Sequence, residues 1–529
     1  MENNSPQIEI GKDAIESLTL GMYEDSRFIY REYIQNAADA IDKAISNKIL
    51  EKGRDEIHVS IDADKRTINI SDNGIGIKKD KAVEILRNIA KSTKKRGEDK
   101  GFRGIGRLGG LSYCDKLFFE TSYYGEPYKT IMVWDAELLK LIINDRESEE
   151  SATDVIERVA HTKTLGEDAN AHYFNIIMEN VTSDDLLDVK NVTDYLSMVA
   201  PVDISSSFIY RNKINEFKKS HNLSVDTYNI YINGDQIFKP YTSAIYEDNN
   251  GGKKKVDDIL DVDFLMAKDN DRKLIYWGWY TISCLKGQMK PKNLARGLRL
   301  RKENIQIGDE EICKKFFSKT EDQRFSFYYF GEIHATSSGL IPNSRRDYFV
   351  ESAECTDFER HIKEDFLKLK ELCYDAQKVR SSATTIAKGN DLRSKIEEKE
   401  KRGYTSQKER DDLKHQLETH QKKEEQAKKT LINVTKKIEE NESPLKGVIE
   451  RLKPTETGEK DESKSSSISS SICKVETKTH YRTDAPIYSV YNKKEKKLIG
   501  KIYAAINNAI ADETLREALI GSIEKEITK

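Results

Sequence analysis

The sequence predicts an α+β protein made of several domains. The chain has 529 residues, which suggests three or four units at about 150 residues a domain. Strand and helix patterns follow one another without strict alternation, which favours α+β layering over a doubly wound parallel sheet. Charged residues make up 34% of the chain and the mean hydropathy is −0.71, so we expect part of the chain to be a long solvated element.

The composition disfavours several classes of protein. Lysine and arginine number 88 against 91 aspartate and glutamate, which disfavours a globally basic nucleic-acid binder but leaves room for a local basic patch. No apolar run approaches the about 20 residues that span a bilayer, and MENNSPQIEI has no signal-peptide pattern. The six cysteines are scattered without a CxxC pair, which argues against a disulfide framework. We expect a cytoplasmic protein with no membrane contact.

Pattern and composition divide the chain into five predicted segments. The first two mix strand and helix signals, and the third is dominated by Lys, Glu, Gln and Arg. The segments are a mixed domain at 1–200, a second mixed domain at 201–385, a helical coiled-coil segment at 386–445, a Ser-rich linker at 446–475 and a small C-terminal module at 476–529. Within the last, IYSVYN (residues 487–492) predicts a strand.

The third segment carries a heptad ladder. Its apolar positions are Leu413, Leu417, Ala427, Leu431, Val434 and Ile438. His420 and Glu424 occupy the two remaining rungs, which weakens the seam. The partner helix is either another chain or the preceding helix, folded back across a break at Gly403. The alternative is a single solvated helix.

Polar side chains with a chemical pattern lie on the first long predicted helix, RFIYREYIQNAADAIDKA. Glu32, Asn36 and Asp39 stand at i, i+4 and i+7, so all three face one side. A carboxylate one turn before an amide suits a general base acting on water next to an oxygen ligand for a hard cation. The alternative is a solvent-facing polar stripe.

The segment ISDNGIGI follows at the end of a predicted strand. Asp72 is followed by Gly74 and Gly76, and glycines permit a tight turn and close approach of the backbone to a ligand. A fixed carboxylate beside them can accept a hydrogen bond from an exocyclic amine. The alternative is ordinary hairpin punctuation, since Asp-Asn-Gly is common in turns.

Two further segments complete the set. EILRNIAKSTKKRG predicts a short helix ending in a polar turn, where Lys91 and Ser92 either face phosphate or form an ordinary helix end. KGFRGIGRLGG then crowds glycines before a strand, and such a loop can wrap a polyphosphate with backbone N–H groups. A dinucleotide-binding fold is rejected because a long helix and two strands precede these glycines.

Together these four segments, in this order, resemble the GHKL ATPases, which include gyrase B, the ninety-kilodalton heat-shock chaperones, sensor histidine kinases and MutL, with the MORC proteins as relatives. The chaperone branch is the most similar in order and spacing. The resemblance implies binding of ATP and Mg²⁺, with Glu32 activating water, Asn36 holding magnesium and Asp72 reading the adenine amine. The implied nucleotide contacts are Asn36, Asp39, Asp72, Gly74, Gly76, Lys91, Ser92, Gly101, Phe102, Arg103, Gly104, Ile105 and Gly106.

One departure from the family pattern concerns the adenine pocket. The family usually has a Gly-Thr pair opening a late strand, whereas here His172 and Tyr173 stand in that place. Thr162 or Thr164 is a candidate substitute.

The second mixed domain resembles, more weakly, the middle domain of the same chaperones. The resemblance implies that this domain lends a basic residue to the γ-phosphate, and the candidates are Arg345 and Arg346 after Pro342. The alternative is a surface Arg pair beside Asp347. The basic stretch KPKNLARGLRLRK (residues 290–302) is a candidate contact for nucleic acid or an acidic partner.

These observations predict an ATP hydrolase whose lid closure drives a clamp-like cycle, with a homodimer as the expected assembly. The first hypothesis is a chaperone-like or conflict-system protein that acts on a protein client or partner subunit. The alternative is a DNA-associated clamp of MORC or MutL type, and a third is a nucleotide-binding signalling module without turnover. A histidine kinase is disfavoured because no phospho-acceptor helix precedes the domain, and a topoisomerase because no cleavage domain is recognisable.

Overall fold

The α+β class predicted from the sequence is confirmed, and the chain forms two compact units, Met1–Glu371 and Leu372–Lys529. The computed structural model describes residues 10–19, 25–89, 106–145, 147, 149–249, 252–441, 443–452, 480–510 and 512–527. The finer division into five segments stays a prediction.

The elements of the first unit alternate irregularly between helix and strand. They are, in chain order, α1 (Asp13–Thr19), α2 (Phe28–Ser46), β1 (Ile57–Asp62), β2 (Thr67–Asp72), α3 (Lys79–Arg87), β3 (Lys116–Ser122), β4 (Tyr128–Asp135), α4 (Ala136–Asn144), α5 (Ala152–Val159), β5 (Ala160–Gly166), β6 (Tyr173–Glu179), α6 (Val189–Val199), α7 (Arg211–Ser220), β7 (Ile230–Ile232), β8 (Asp235–Gln236), β9 (Ala244–Asn249), β10 (Gly252–Lys268), β11 (Leu274–Ser283), β12 (Gly297–Lys302), β13 (Ile305–Gln306), β14 (Phe330–Ala335) and α8 (Ala353–Arg402), which continues into the second unit.

An eight-stranded sheet carries the first half of this unit, in the order β5-β4-β3-β6-β2-β1-β7-β8. The hairpins β1–β2 and β3–β4 are antiparallel, as the alternating sequence pattern predicts, whereas β1 and β7 are parallel. Helix α2 is buried through apolar residues at three- and four-residue spacing, including Ile29, Tyr33, Ile34, Ala37 and Ile41. Its polar face is thereby held in a fixed orientation.

A second sheet of six strands follows, in the order β13-β12-β14-β11-β10-β9. All neighbouring pairs are antiparallel except β12 and β14, which run parallel. Strand β11 is buried on both faces for nearly its whole length, which explains its continuous run of large apolar residues, LIYWGWYTIS.

A buried ionic network lies within this second sheet. Glu332 Oε1 on β14 forms ion pairs with Arg301 Nε at 2.6 Å and with Lys239 Nζ at 2.9 Å. Arg301 Nη2 also donates to the Met198 carbonyl of α6 at 2.7 Å. His334 Nε2 lies 3.2 Å from Glu332 Oε2, and its ring stacks on Trp277. The network therefore joins β12, β14 and α6, and its charges are paired, as buried charges must be.

The pH dependence of stability follows from this network. Burial lowers the pKa of His334 to about 4, although Glu332 opposes the shift. Between pH 6.5 and 4 the unfolded chain therefore binds a proton that the folded chain does not, so the free energy of unfolding falls as the pH falls, by about 1.4 kcal/mol per unit. Glu332, whose pKa lies well below its usual value, adds a loss of the same sign at lower pH.

The variant His334→Gln keeps a donor for Glu332 but cannot titrate. We expect it to flatten the dependence of unfolding free energy on pH between 6.5 and 4, as measured by urea denaturation at each pH. If this variant kept the wild-type slope of unfolding free energy against pH, that slope would come from titratable groups other than His334.

In the second unit, α8 folds back on α9 (Gln407–Glu440) as an antiparallel helical hairpin. Lys437 Nζ lies 2.8 Å from Asp375 Oδ2, far from the turn, and Lys399 Nζ lies 3.1 Å from Glu409 Oε1, close to the turn. This order of contacts is that of two antiparallel helices. Gly403 at φ +91° forms that turn. The ladder residues are buried or partly buried, and the ion pairs between α8 and α9 favour the preceding helix as their partner.

The ion pairs of Glu424 explain one of the two polar positions in the heptad ladder. Glu424 is 2% exposed and pairs with Arg393 of α8 and with Lys428. A Cβ atom at Gly389 would collide with the Glu424 carboxylate, so the glycine permits the two helices to approach there.

The other α-helices in the described part of the second unit are α10 (Lys446–Leu452), α11 (Lys493–Ala509) and α12 (Glu513–Ile527). The predicted strand at 487–492 is wrong. Pro486–Tyr488 forms a 3₁₀ turn, and Asn492 caps α11 by accepting from the backbone N–H groups of Lys494 and Glu495. A helix therefore begins at this cap. The alternation of apolar residues before Asn492 does not reveal that helix start, because capping depends on a polar side chain.

Two expectations from the sequence concern a membrane span and a disulfide framework, which we expect to be absent. None of the helices that the described residues form is long and apolar enough to cross a membrane. The cysteines that the structure describes are buried and form no disulfide bond with one another: Cys114, Cys284, Cys313, Cys355 and Cys373.

Candidate functional site

The polar face of α2 forms one wall of the candidate site. Asp39 is 5% exposed, and Glu32 and Asn36 are partly buried one turn apart. The three side chains therefore do not form a solvent-facing stripe. The residues between them anchor the helix, and the Tyr33 hydroxyl accepts a hydrogen bond from the Gly110 N–H at 2.9 Å.

The loop after β2 forms a second wall, and its glycines are required by close packing. Asp72 ends β2, is 7% exposed and accepts the Gly74 N–H through Oδ1 at 2.8 Å. A Cβ atom at Gly74 would lie 2.6 Å from the Ala40 Cβ of α2. Gly76 has φ +69°, and a Cβ there would overlap the Ser122 carbonyl oxygen. The loop is thus pressed against both α2 and β3.

The start of β6 holds this loop from the other side. His172 Nδ1 lies 3.0 Å from the Gly74 carbonyl oxygen, so the residue in the family's Gly-Thr position contacts the loop directly. Sequence reasoning missed Thr121 of β3, which is 1% exposed, accepts the Ile77 N–H at 2.9 Å and donates to the Tyr173 carbonyl at 3.0 Å. The only sequence pattern that points to Thr121 is a polar residue at an inward-facing position of an apolar strand.

The suggestion that Thr162 or Thr164 replaces the family's threonine is wrong. Both lie on β5, an exposed strand that β4, β3 and β6 separate from β2. The Thr162 hydroxyl instead donates to Met132 Sδ at 3.3 Å.

A 3₁₀ helix at Gly106–Ser112 covers Glu32. A Cβ atom at Gly106 would lie 2.5 Å from Glu32 Oε2, and one at Gly110 would collide with the Tyr33 hydroxyl. These two glycines therefore let the segment after the glycine loop pack directly on the carboxylate of Glu32.

The two candidate arginines have different environments. Arg346 is 8% exposed and its Nε lies 3.5 Å from Glu32 Oε1, whereas Arg345 is exposed. Arg346 has φ +55°, and its carbonyl accepts the Gly308 N–H at 2.8 Å. Burial lowers the pKa of Arg346, and Glu32 opposes that shift. The Arg345 carbonyl in turn accepts from Nη2 of Arg31, a buried residue that sequence reasoning also missed.

Several predicted site residues lie outside the described residues. These are Lys91, Ser92, Gly101, Phe102, Arg103, Gly104 and Ile105.

The donor set fits a magnesium ion that is shared with a phosphate ligand. The described residues contain no group of three His, Cys, Asp or Glu side chains able to hold a metal alone. Magnesium bound with phosphates takes only one or two protein oxygens, and the Asn36 amide provides such an oxygen one turn after Glu32.

The order of these elements and the placement of the polar residues define a GHKL-type ATPase domain. Residues 25–164 match the family model described as "Histidine kinase-, DNA gyrase B-, and HSP90-like ATPase". The predicted resemblance is therefore confirmed over that part of the chain.

The chain is also similar to curated proteins. The chain is 34% identical over 143 residues to the chaperone protein HtpG of Escherichia coli strain K12, and equally to that of Escherichia coli O157:H7. The match covers 24% of this chain and 23% of each relative. The similarity thus spans about a quarter of the curated relatives' length.

Proposed function

We propose that the chain binds ATP with magnesium between α2 and the Asp72 loop and hydrolyses it. The observation that carries this proposal is the placement of Glu32. Its carboxylate lies on the same helical face as Asn36, under Gly106 and beside the buried guanidinium of Arg346. A carboxylate in contact with a buried arginine, on a helix that matches an ATPase family, suits activation of water next to a phosphate.

Each wall of the site has its own role in the proposal. Asp72 accepts the exocyclic amine of adenine, while Gly74 and Gly76 bring the loop backbone close to the base. Asn36 and Asp39 face the phosphate side. Lys91, Ser92 and the segment 101–106 close over the phosphates, as in the family they resemble.

The chemistry is mainly positioning and charge neutralisation. Glu32 orients and deprotonates the attacking water, and Arg346 stabilises the charge that develops on the γ-phosphate. A magnesium ion held by Asn36 would neutralise phosphate charge. Residues 1–200 thus bind the nucleotide and residues 201–385 contribute the arginine. Because Arg345 is exposed, we assign this role to Arg346.

The variant Asp72→Asn tests nucleotide recognition. It removes the negative acceptor and is expected to weaken ADP affinity by more than about tenfold, which corresponds to 1.4 kcal/mol. Isothermal titration calorimetry with magnesium present measures the change. Asp235→Asn, at an exposed carboxylate on edge strand β8, is the matched control and should bind ADP as the wild type does. Unchanged affinity in Asp72→Asn contradicts adenine recognition by this carboxylate.

For the biological role we favour a chaperone-like ATP-driven clamp that works as a homodimer on a protein client. The similarity to HtpG supports this choice. The stretch 290–302 does not support a nucleic-acid contact, because Arg296, Arg299 and Arg301 are buried and pair with glutamates. Light scattering of the full chain with and without ATP tests the assembly, and a monomeric mass under both conditions contradicts it.

A further inference from the structure

A second cleft, of about 640 Å³, opens next to the candidate site. It is bounded by α6, by the N-terminal end of α2 and by the loops that contain Leu294, Gly308 and Arg346. Arg31 and Arg346, which both contact Glu32, line it. The residues on α2 and after β2 that are proposed to hold the nucleotide do not line this cleft. Its volume is in the range of small-molecule sites.

Buried donors in this cleft lack partners among the described residues. Arg31 is 2% exposed and Arg299 6%, and neither Nε makes a hydrogen bond there. The Tyr195 hydroxyl is likewise a buried donor without a partner in the described part of the chain, whereas Gln306 Oε1, also unpartnered there, is an acceptor. The exposed guanidinium of Arg345 makes no ion pair with a described residue. Since an unpaired buried donor costs about 1–3 kcal/mol, a ligand with several acceptors would be stabilised here.

The carboxylates that line the cleft are already engaged. Each has a partner in this chain, by hydrogen bond or ion pair: Asp25 with Arg27, Asp194 with Lys190, Glu310 with Arg299, Asp309 with the Glu311 N–H and Asp347 with Asn343. The groups left to meet a ligand are therefore mostly cationic or neutral donors. Burial also lowers the pKa of Arg299, although its ion pair with Glu310 opposes the shift.

We propose that this cleft binds a small phosphate-bearing molecule. Its phosphate would contact Arg31, Arg299 and Arg345, because guanidinium groups match phosphate oxygens in geometry and charge. The remainder of the molecule would pack on the apolar part of the lining, which includes Met198 and Leu294.

The cleft would also be coupled to turnover, a step that depends on the proposed function. Arg31 lies 3.7 Å from Glu32 through Nη2 and hydrogen-bonds the Arg345 carbonyl through the same atom. A phosphate drawn to Arg31 and Arg345 competes with Glu32 for the Arg31 guanidinium. Occupation of the cleft is therefore expected to change the rate of hydrolysis without displacing the nucleotide.

The test is calorimetry on the full chain saturated with Mg·ADP, with inorganic phosphate and phenyl phosphate as probes. We expect both probes to bind. Tighter binding of phenyl phosphate assigns the site to a phosphate ester, and equal binding assigns it to free phosphate, the product of hydrolysis. No heat from either probe overturns the proposal.

Three variants test whether the phosphate probe binds in this cleft. Arg299→Gln should weaken phosphate binding by at least about tenfold, the loss of one charge-assisted hydrogen bond. Asp194→Asn removes a lining carboxylate and should tighten it. Tyr195→Phe removes only an unpartnered hydroxyl, so it is expected to fold normally and to weaken binding modestly. Phosphate affinity that is the same in all three variants as in the wild type overturns the assignment.

The same titrations separate this inference from the proposed function. ADP affinity should be unchanged in Arg299→Gln. Failure to bind ADP with phosphate binding retained contradicts the nucleotide site alone, whereas normal ADP binding without phosphate binding contradicts the cleft alone.

Discussion

Replacing Glu32 with alanine is expected to leave ATP bound while turnover falls by at least about 100-fold, the lower range for loss of a general base. The side chain lies under Gly106 and beside Arg346, so its removal deletes the base without disturbing the Asp72 loop. Steady-state phosphate release measures turnover, and calorimetry measures nucleotide affinity in the same preparation.

Two further variants make this result specific. Glu32→Gln keeps the shape and the hydrogen-bonding capacity of the side chain but cannot take a proton, so it should be as slow as the alanine variant. Glu216→Ala, at an exposed glutamate of α7, should hydrolyse at the wild-type rate. A wild-type rate in Glu32→Ala contradicts the assignment of the base.

Arg346→Ala is expected to reduce turnover by about 1,000-fold, the low end of the range for an arginine that stabilises phosphoryl transfer. Arg346 is buried against Glu32, where we propose that it meets the γ-phosphate, whereas Arg345 is exposed. Alanine bears the same backbone strain as arginine at φ +55°, so the change reports on the side chain.

Arg345→Ala is the matched control, since it removes the same charge one residue away. We expect it to retain most of the turnover. Equal losses in the two variants contradict a distinct role for Arg346, and no loss in either makes the pair structural.

The sequence predicted the site residues that lie on local patterns. Helical spacing placed Glu32, Asn36 and Asp39 on one face, and strand alternation placed Asp72 at the end of β2. It did not distinguish Arg345 from Arg346, because their burial depends on a turn at positive φ and on contacts with α2. Such contacts join residues about 300 positions apart and leave no local signal.

The errors have the same origin. Thr162 was a plausible neighbour of the adenine pocket by sequence distance alone, but strand order places it at the edge of the sheet. Thr121 was missed because its partners, Ile77 and Tyr173, come from other elements. In the second unit, the heptad ladder predicted a helix over this stretch but left its partner open, since a heptad pattern does not say whether the facing helix belongs to the same chain.

Hydrogen–deuterium exchange of the full chain with and without ATP and magnesium tests the central claim most directly, because it locates the ligand without a mutation. Slower exchange is predicted in peptides covering α2, residues 72–77 and Gly106–Ser112, where bound nucleotide would hold the loops. Protection confined to other regions, such as α6, or no change at saturating ATP, would contradict a nucleotide site built around Glu32 and Asp72.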